Sequence, residues 1–173
     1  MMSKILKKIL MAIDIVCCIL IVAELCGFSI ICGNFFVFQY YLVILVASSV
    51  VFSLCYKKIR IVVLGSVFTC FLIFWSQFNI GNQQVLTKSI SPDGKNLILI
   101  TEYDKPIGGG VNVYRQLVAN IYIRVCVENT QVSYHPFTVN DGYVEWDKNS
   151  DQAIVRFKRS NGCEEYQEIV VVF

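Results

Sequence analysis

The sequence predicts a membrane protein with three transmembrane helices and a C-terminal all-β domain, either a small sandwich or a partly open barrel. Two observations support this fold class. Of the 173 residues, 55% are hydrophobic and only 16% are charged, which is more apolar than an ordinary soluble domain. Near residue 83, long apolar runs also give way to short alternating segments. The predicted domains are a transmembrane domain, 1–82, and an extracytoplasmic all-β domain, 83–173.

Three apolar runs account for the predicted helices. They cover about 9–33, 35–56 and 61–80. Each has the roughly 20 apolar residues needed to cross a hydrocarbon core of about 30 Å. A buried bundle in a soluble protein, the alternative, would show a polar face at helical spacing. The second run has no such face, which favours membrane spans.

Basic residues determine the predicted orientation. One cluster precedes the first run, and a second cluster separates the second run from the third. Lys and Arg are retained on the cytoplasmic side of a membrane. The predicted localisation is therefore the cell membrane, multi-pass, with the N-terminus in the cytoplasm and the C-terminal domain extracellular. The two clusters are Lys4, Lys7 and Lys8, and Lys57, Lys58 and Arg60.

The second half of the chain has the pattern of several short strands. Strands are predicted at Val85–Ile90 and Lys95–Tyr103, joined by the turn Ser91–Gly94, in which Pro fixes φ and Gly accepts a positive φ. A long strand is predicted over about 117–128, with one apolar and one mostly polar face. Short strands at this spacing are typical of sandwiches and barrels. The remaining predicted strands are Val132–Val139, Tyr143–Trp146, Ala153–Lys158 and Tyr166–Phe173.

A resemblance rests on Ser91–Lys95, the apolar strand after it, Gly108–Gly110, and Val144–Trp146 with Asp151. This stretch, about 84–158, resembles a set of short, uncharacterised membrane proteins of Gram-positive bacteria that place one such β domain after hydrophobic helices. The resemblance implies a bacterial cell-envelope location and no activity. The Ser91–Lys95 turn also resembles the start of a propeller blade, with a degenerate second copy at 146–157. About 90 residues cannot supply the four or more blades of a propeller.

The sequence contains no motif that indicates a catalytic, cofactor or metal site. Gly108–Gly110 lacks the Lys-Ser/Thr of a phosphate-binding loop, and a flexible hairpin loop is predicted there. His135 is the only histidine, which excludes zinc sites built on paired histidines and leaves any hydrolytic triad dependent on this residue. We therefore predict a protein that is not an enzyme and has no cofactor. Neither half has the basic excess of a nucleic-acid-binding domain.

Two acidic residues in the first run are candidate functional residues, because an ionisable group inside a span is costly and commonly functional. Asp14 lies near the predicted cytoplasmic boundary, on the same helix face as Lys7. Glu24 lies deeper and has no basic residue at its depth. It is predicted either to contact a partner or carry a proton, or to be a protonated carboxyl bonded by small polar residues of the other runs. Those residues are Ser48, Ser49, Ser66 and Thr69.

The cysteines suggest one disulfide. Six of the eight lie in or beside the predicted spans, without the spacing of a metal site. Cys126 and Cys163 lie in the predicted extracytoplasmic domain, where oxidising conditions favour a bridge between them. The alternative leaves both as free thiols, with Cys126 under an apolar layer and Cys163 exposed. The geometry that decides between them is not contained in the sequence.

The predicted function is binding: a membrane-anchored β domain that serves as an accessory or sensory subunit of an envelope complex. The predicted partners are the lipid bilayer and another membrane or envelope protein, with no nucleic acid. The alternative function is that of a small membrane immunity or stress-protection protein, whose helices bind another membrane protein or a toxic peptide.

Overall fold

The structure is a computed structural model that describes residues 4–32, 35–56, 84–105 and 108–173. The chain forms two compact units. One unit holds both described helices, and the other holds all of the described strands.

The helical unit contains α1 (Lys4–Leu25) and α2 (Phe38–Tyr56), which contact each other. Gly27, just beyond α1, has a φ of 93°. A residue in this left-handed region commonly ends a helix, and glycine adopts it without a Cβ clash. Cys17 and Glu24 are buried. Many apolar side chains of both helices are nevertheless exposed, for example Ile19 at 61% and Val43 at 64%.

Neither helix in the described part of the chain is both long enough and apolar enough to cross a bilayer. The prediction of three transmembrane helices is therefore wrong, and so is the predicted multi-pass location with a cytoplasmic N-terminus and an extracellular C-terminal domain. The first apolar run, 9–33, is divided: α1 ends at Leu25 and a strand follows at Phe28–Cys32. Charged groups, Asp14 among them, also interrupt α1. The third predicted span, 61–80, lies outside the described residues.

The described strands of the β unit form two antiparallel sheets. The larger sheet has the order β2-β1-β6-β5-β4-β3, and the smaller has the order β7-β8-β9. The smaller sheet is built from consecutive strands, as is most of the larger one. The bounds are β1 Phe28–Cys32, β2 Phe35–Phe36, β3 Gln84–Ile90, β4 Leu97–Lys105, β5 Gly108–Val118, β6 Ile121–Thr130, β7 Gly142–Trp146, β8 Gln152–Lys158 and β9 Tyr166–Val172.

The two sheets pack face to face around one apolar core, which makes the β unit a sandwich. The all-β prediction for the second half fits this arrangement. Trp146 and Phe173 pack against the core and stack on each other with ring centroids 5.4 Å apart. The buried core residues come from β4, β5, β8, β9 and the connection before β7: Ile98, Ile100, Val111, Val113, Phe137, Ala153, Val155, Phe157, Ile169 and Val171.

The second face of the larger sheet carries another apolar cluster, to which the segment between the two helices in sequence contributes. Strand β1 pairs with β6, with Phe28 opposite Ile123 and Ile30 opposite Ile121. Ile31 and Phe36 join Leu99, Tyr114 and Tyr122 in a second apolar cluster. Residues 28–32 and 35–36 were assigned to the first and second predicted spans, because a short apolar run fits a buried strand as well as a buried helix.

Two further strand predictions differ from the structure. The predicted strand 117–128 is really the junction of β5 and β6, because the chain reverses at Ala119, whose φ is 44°. The predicted strand 132–139 is an irregular connection between β6 and β7, which we call the 131–141 segment. The other predicted strands of the second half lie within about two residues of β3, β4, β7, β8 and β9.

Two tight turns close one end of the sandwich. In the turn Ser91–Asn96, the Ser91 N–H donates to the Asn96 carbonyl and the Gly94 N–H donates to the Ser91 carbonyl, both at 2.9 Å. The Ser91 hydroxyl also accepts the Asn96 N–H at 2.9 Å. Gly94 has a φ of 75°, as the sequence predicts for this turn.

The turn Asp147–Gln152 repeats this pattern at each corresponding position. The Asp147 N–H donates to the Gln152 carbonyl at 3.0 Å, and the Ser150 N–H donates to the Asp147 carbonyl at 3.2 Å. The Asp147 side chain accepts the Gln152 N–H at 3.2 Å. Ser150 has a φ of 64° and replaces the glycine. The two turns also contact each other, since the Asn96 amide donates to the Ser150 carbonyl at 2.8 Å.

Candidate functional site

At the end of the sandwich away from the two turns, the core-facing side of β4 changes from apolar to acidic. Alternate residues of a strand face the same side, so Glu102 and Asp104 continue the row that begins with Ile98 and Ile100. The 131–141 segment lies over this end of β4, since its residues bond to both carboxylates. Charged groups are thereby brought to a position that apolar residues normally occupy.

Glu102 is only 3% exposed. One carboxylate oxygen accepts the backbone N–H of Phe137 at 2.5 Å. The other accepts the hydroxyl of Thr138 at 2.7 Å. Hydrogen bonds to an ionised group are about twice as strong as neutral ones, and they offset the cost of removing the carboxylate from water. Glu102 therefore fixes the 131–141 segment to β4.

The imidazole of His135 lies between two carboxylates. Its Nδ1 is 3.7 Å from Oε2 of Glu102, and its Nε2 is 3.1 Å from Oδ2 of Asp104. The Nε2 separation is that of a hydrogen bond, whereas the Nδ1 separation is longer and reflects proximity of charge only. Within the described ranges, no group of three or more His, Cys, Asp or Glu side chains is arranged to hold a metal ion. The arrangement is that of a structural anchor.

A second set of polar contacts links residues within the 131–141 segment and joins the segment to the end of β8. The Tyr134 hydroxyl donates to Oδ2 of Asp141 at 2.6 Å. Burial, together with this bond to Asp141, raises the pKa of Tyr134. The same bond from Tyr134 lowers the pKa of Asp141, and Lys158, 3.6 Å away, acts in the same direction. The Gln131 N–H donates to the Arg159 carbonyl at 2.8 Å.

The glycine run 108–110 begins β5, where a flexible hairpin loop was predicted. A Cβ on Gly110 would lie 2.6 Å from the carbonyl oxygen of Glu128 and would overlap the ring of Tyr103. A Cβ on Gly109 would lie 3.0 Å from the Thr130 hydroxyl. These glycines allow close packing of strands and of an aromatic ring, which explains them without a phosphate ligand.

The two acidic residues predicted to be functional occupy different environments in the helical unit. The Ser48 hydroxyl donates to Oδ1 of Asp14, and it lies 3.0 Å from the carbonyl of Leu45. Ser48, which was predicted as a partner for Glu24, is therefore bonded to Asp14. Glu24 is 7% exposed. The structure does not bring Asp14 and Glu24 together into a described site.

Cys126 and Cys163 are both free thiols in the structure. Cys126 is half-buried on β6 and packs against the core between the sheets. Burial, followed by the charge of Glu128, raises the pKa of the Cys126 thiol. Cys163 lies in the connection between β8 and β9, where its Sγ contacts the Glu165 carbonyl at 3.5 Å. The predicted disulfide is thus not formed here.

The outer face of the smaller sheet presents a mixed aromatic, charged and apolar surface, which we call the tyrosine face. Tyr143 of β7 and Tyr166 of β9 are 41% and 43% exposed, and their rings meet edge to face with centroids 5.7 Å apart. The Nζ of Lys158 lies 5.5 Å from the centroid of the Tyr166 ring. The tyrosine face consists of Tyr143, Glu145, Ile154, Arg156, Lys158, Tyr166, Glu168, Val170 and Val172.

Arg156 is held rigidly at the centre of the tyrosine face. Its Nη1 lies 2.5 Å from Oε2 of Glu145, and its Nε lies 2.7 Å from Oε1 of Glu168. Hydrogen bonding to Tyr143 and then to Glu168 raises the pKa of Arg156. The paired charges leave a face without a strong net charge of either sign, flanked by exposed aromatic rings.

Sequence reasoning missed both Glu102 and the tyrosine face, although each has a signal. Glu102 lies two residues after Ile100 and four after Ile98, so in a strand it faces the same side as these apolar residues. An acidic residue on an apolar face is the signal. The tyrosine face follows from the alternation of Tyr166, Glu168 and Val170. Neither signal is decisive alone, because both faces of β4 carry apolar residues and the partner strands of β9 are not known from the sequence.

In the described ranges, the β unit is a small antiparallel sandwich and the other unit holds a pair of helices. No family model, no curated protein and no solved structure matches the chain. The resemblance to uncharacterised Gram-positive membrane proteins therefore stays a prediction.

Proposed function

We propose that this protein is a protein-interaction module, not an enzyme, and that the tyrosine face is its recognition surface. The observation that supports this most strongly is the pair of exposed, mutually packed rings of Tyr143 and Tyr166 beside the fixed guanidinium of Arg156. Tyrosine and arginine are among the residue types most enriched in protein interfaces, and they are frequent among the residues that dominate binding energy there.

The geometry of the face also suits protein binding. Val170 and Val172 are each 54% exposed and extend the apolar part of the surface. Because Arg156 is already held by two carboxylates, little side-chain entropy is lost when a partner packs over it. The near-balance of charge favours a protein partner over a nucleic acid, which requires an excess of Lys and Arg.

The contacts of His135 with Glu102 and Asp104 support the proposal that the protein is not an enzyme. His135 and Glu102 hold the 131–141 segment in place, and both nitrogens of the ring face carboxylates. General acid–base catalysis requires a nitrogen within hydrogen-bond reach of the reacting proton. A structural role in holding the 131–141 segment therefore accounts for His135 and Glu102 without a catalytic function.

Quantitative affinity capture with the full-length chain tests this function. We expect the wild type to retain one partner protein at a constant ratio, and Tyr143→Ser to reduce that ratio at least about fivefold, as for a central interface tyrosine. Val132→Ser is the matched control, since Val132 is 59% exposed but lies in the 131–141 segment. Equal retention by all three proteins, or no retained partner, would contradict the proposal.

A further inference from the structure

The four edge strands of the two sheets differ in how they are protected against pairing with another strand. Strand β2 has only two residues, and β7 has five. Strand β3 has an irregular register between Val85 and Thr87 and carries the exposed Lys88. Short length, bulges and lysines are the usual devices that prevent edge-to-edge association. Three of the four edges in the described residues therefore carry at least one such device.

Strand β9 lacks all of these devices. It has seven residues, Tyr166–Val172, with no Lys, Arg or Pro. Its pairing with β8 is regular from Tyr166 to Val172. The four residues Ile169 to Val172 are all β-branched, which favours extended structure. The one charged side chain, Glu168, is held by Arg156 at 2.7 Å.

The hydrogen-bond pattern shows which backbone groups of β9 face outward. The N–H of Phe173 donates to the carbonyl of Asp151 on the β8 side. In an antiparallel ladder the direction alternates along the strand, so the backbone groups of Tyr166, Glu168, Val170 and Val172 point away from β8. The guanidinium of Arg115 reaches the Val172 carbonyl at 2.7 Å, which is consistent with this direction. A carbonyl oxygen accepts two hydrogen bonds, so the Arg115 contact leaves it able to pair.

We propose that β9 is a homotypic pairing edge, on which a second copy of this chain adds its own β9 antiparallel to form one continuous six-stranded sheet. With Ile169 on the two-fold axis, Tyr166 lies opposite Val172 of the second copy and Glu168 lies opposite Val170. All four outward-facing residues of each copy then form hydrogen-bonded pairs. Tyr166 and Val172 make an aromatic–β-branched pair, which stabilises neighbouring strands.

Charge selects this register over its neighbours. Moving the axis to Glu168 places two glutamates directly opposite each other, which is destabilising. Moving it to Val170 places Tyr166 beyond the end of the second copy's β9 and shortens the ladder. The register centred on Ile169 keeps each Glu168 beside its own Arg156 and opposite an apolar residue. The strand is thus complementary to itself, which is what a two-fold symmetric interface requires.

This inference does not rest on the proposed function. Although β9 contributes Val170 to the tyrosine face, the test measures self-association of the chain and not the retention of another protein. Sedimentation analysis of the full-length chain is expected to show a reversible dimer. Val170→Glu should raise the dissociation constant at least about tenfold, because it places a glutamate directly opposite Glu168 of the second copy at both symmetric positions. Val139→Glu is the matched control, since Val139 is 53% and Val170 54% exposed; this variant should dimerise like the wild type. Cooperative urea unfolding of both variants, at protein concentrations that leave the wild type monomeric, establishes that both are folded.

Hydrogen exchange resolved to single residues tests the register. Dimerisation should slow exchange at the amides of Glu168 and Val170 as the protein concentration rises. The amides of Ile169 and Val171 already bond to β8 and should not respond. A wild type that is monomeric at all concentrations overturns the proposal. It is equally overturned by unchanged association of Val170→Glu, or by protection confined to amides other than those of Tyr166, Glu168, Val170 and Val172.

Discussion

The two ends of the β sandwich are closed in physically different ways. At the turn end, Ser91–Asn96 and Asp147–Gln152 satisfy their backbone groups almost entirely within six residues each. At the opposite end, the 131–141 segment depends on Glu102, which lies about 35 residues earlier in the chain. The turn end is therefore stabilised by local contacts and the anchor end by tertiary contacts.

This difference shows why two turns with little sequence in common adopt the same hydrogen-bond pattern. A side-chain oxygen at the first position and a positive φ at the fourth are sufficient for the turn. Serine and aspartate both supply the oxygen. Glycine and serine differ at the fourth position, where glycine adopts the conformation without strain. The anchor end has no such tolerance, because a buried carboxylate requires its specific donors.

The largest effect is expected at the anchor end, from Glu102→Ala. The substitution leaves the buried N–H of Phe137 without its acceptor, at a cost of about 3 kcal/mol in the free energy of unfolding. Asp104→Ala is the control, because the Asp104 side chain is 51% exposed, and exposed ion pairs contribute about 0.5 kcal/mol. Urea unfolding measures both. Equal losses for the two variants would show that Glu102 does not anchor the segment.

Substitutions at the fourth position of the two turns are expected to change stability by an intermediate amount, with opposite signs in the two turns. Gly94→Ala should destabilise the protein by about 1 kcal/mol, because alanine is strained at a φ of 75°. Ser150→Gly should stabilise it by up to about 1 kcal/mol, since it relieves the same strain. Asn149→Gly, at a neighbouring position where φ is not positive, should not stabilise. Thermal unfolding of the three variants tests whether Gly94 and Ser150 occupy equivalent positions. A loss of stability in Ser150→Gly would contradict this equivalence.

The smallest expected effect is a pH dependence of stability in the Ser91–Asn96 turn. Hydrogen bonds from the Ser91 side chain and then from the Lys95 backbone lower the pKa of Asp93 to about 2. An unfolded aspartate titrates near 3.9, so the stabilisation by Asp93 is complete above about pH 4 and is lost as the pH falls toward 2. The stability difference between wild type and Asp93→Asn should narrow over that range. This stability difference should narrow less in a Ser91→Ala background. The same pH dependence with and without the Ser91 hydroxyl would show that Ser91 does not lower the pKa of Asp93.

Prediction from sequence succeeded where a structural signal is local. Pro92, Asp93 and Gly94 specify a turn wherever they occur between two apolar strands, and alternation identified β7, β8 and β9. It failed for residues 28–32, because Ile30 and Ile31 belong to an apolar run that fits a buried helix as well as a strand. The role of Glu102 was not predicted, because both faces of β4 are apolar up to Leu99 and Ile100 and the core-facing side could not be identified.

Local sequence alone was sufficient for the all-β second half, for most of its strands and for the Ser91–Asn96 turn, since each depends on neighbours a few residues apart. Only the tertiary structure shows that β1 joins β6, that Glu102 binds the 131–141 segment, and that Tyr143 meets Tyr166 on one face. Each of these contacts joins residues more than 20 positions apart. Periodicity along a chain carries no information about which strand becomes the neighbour of another.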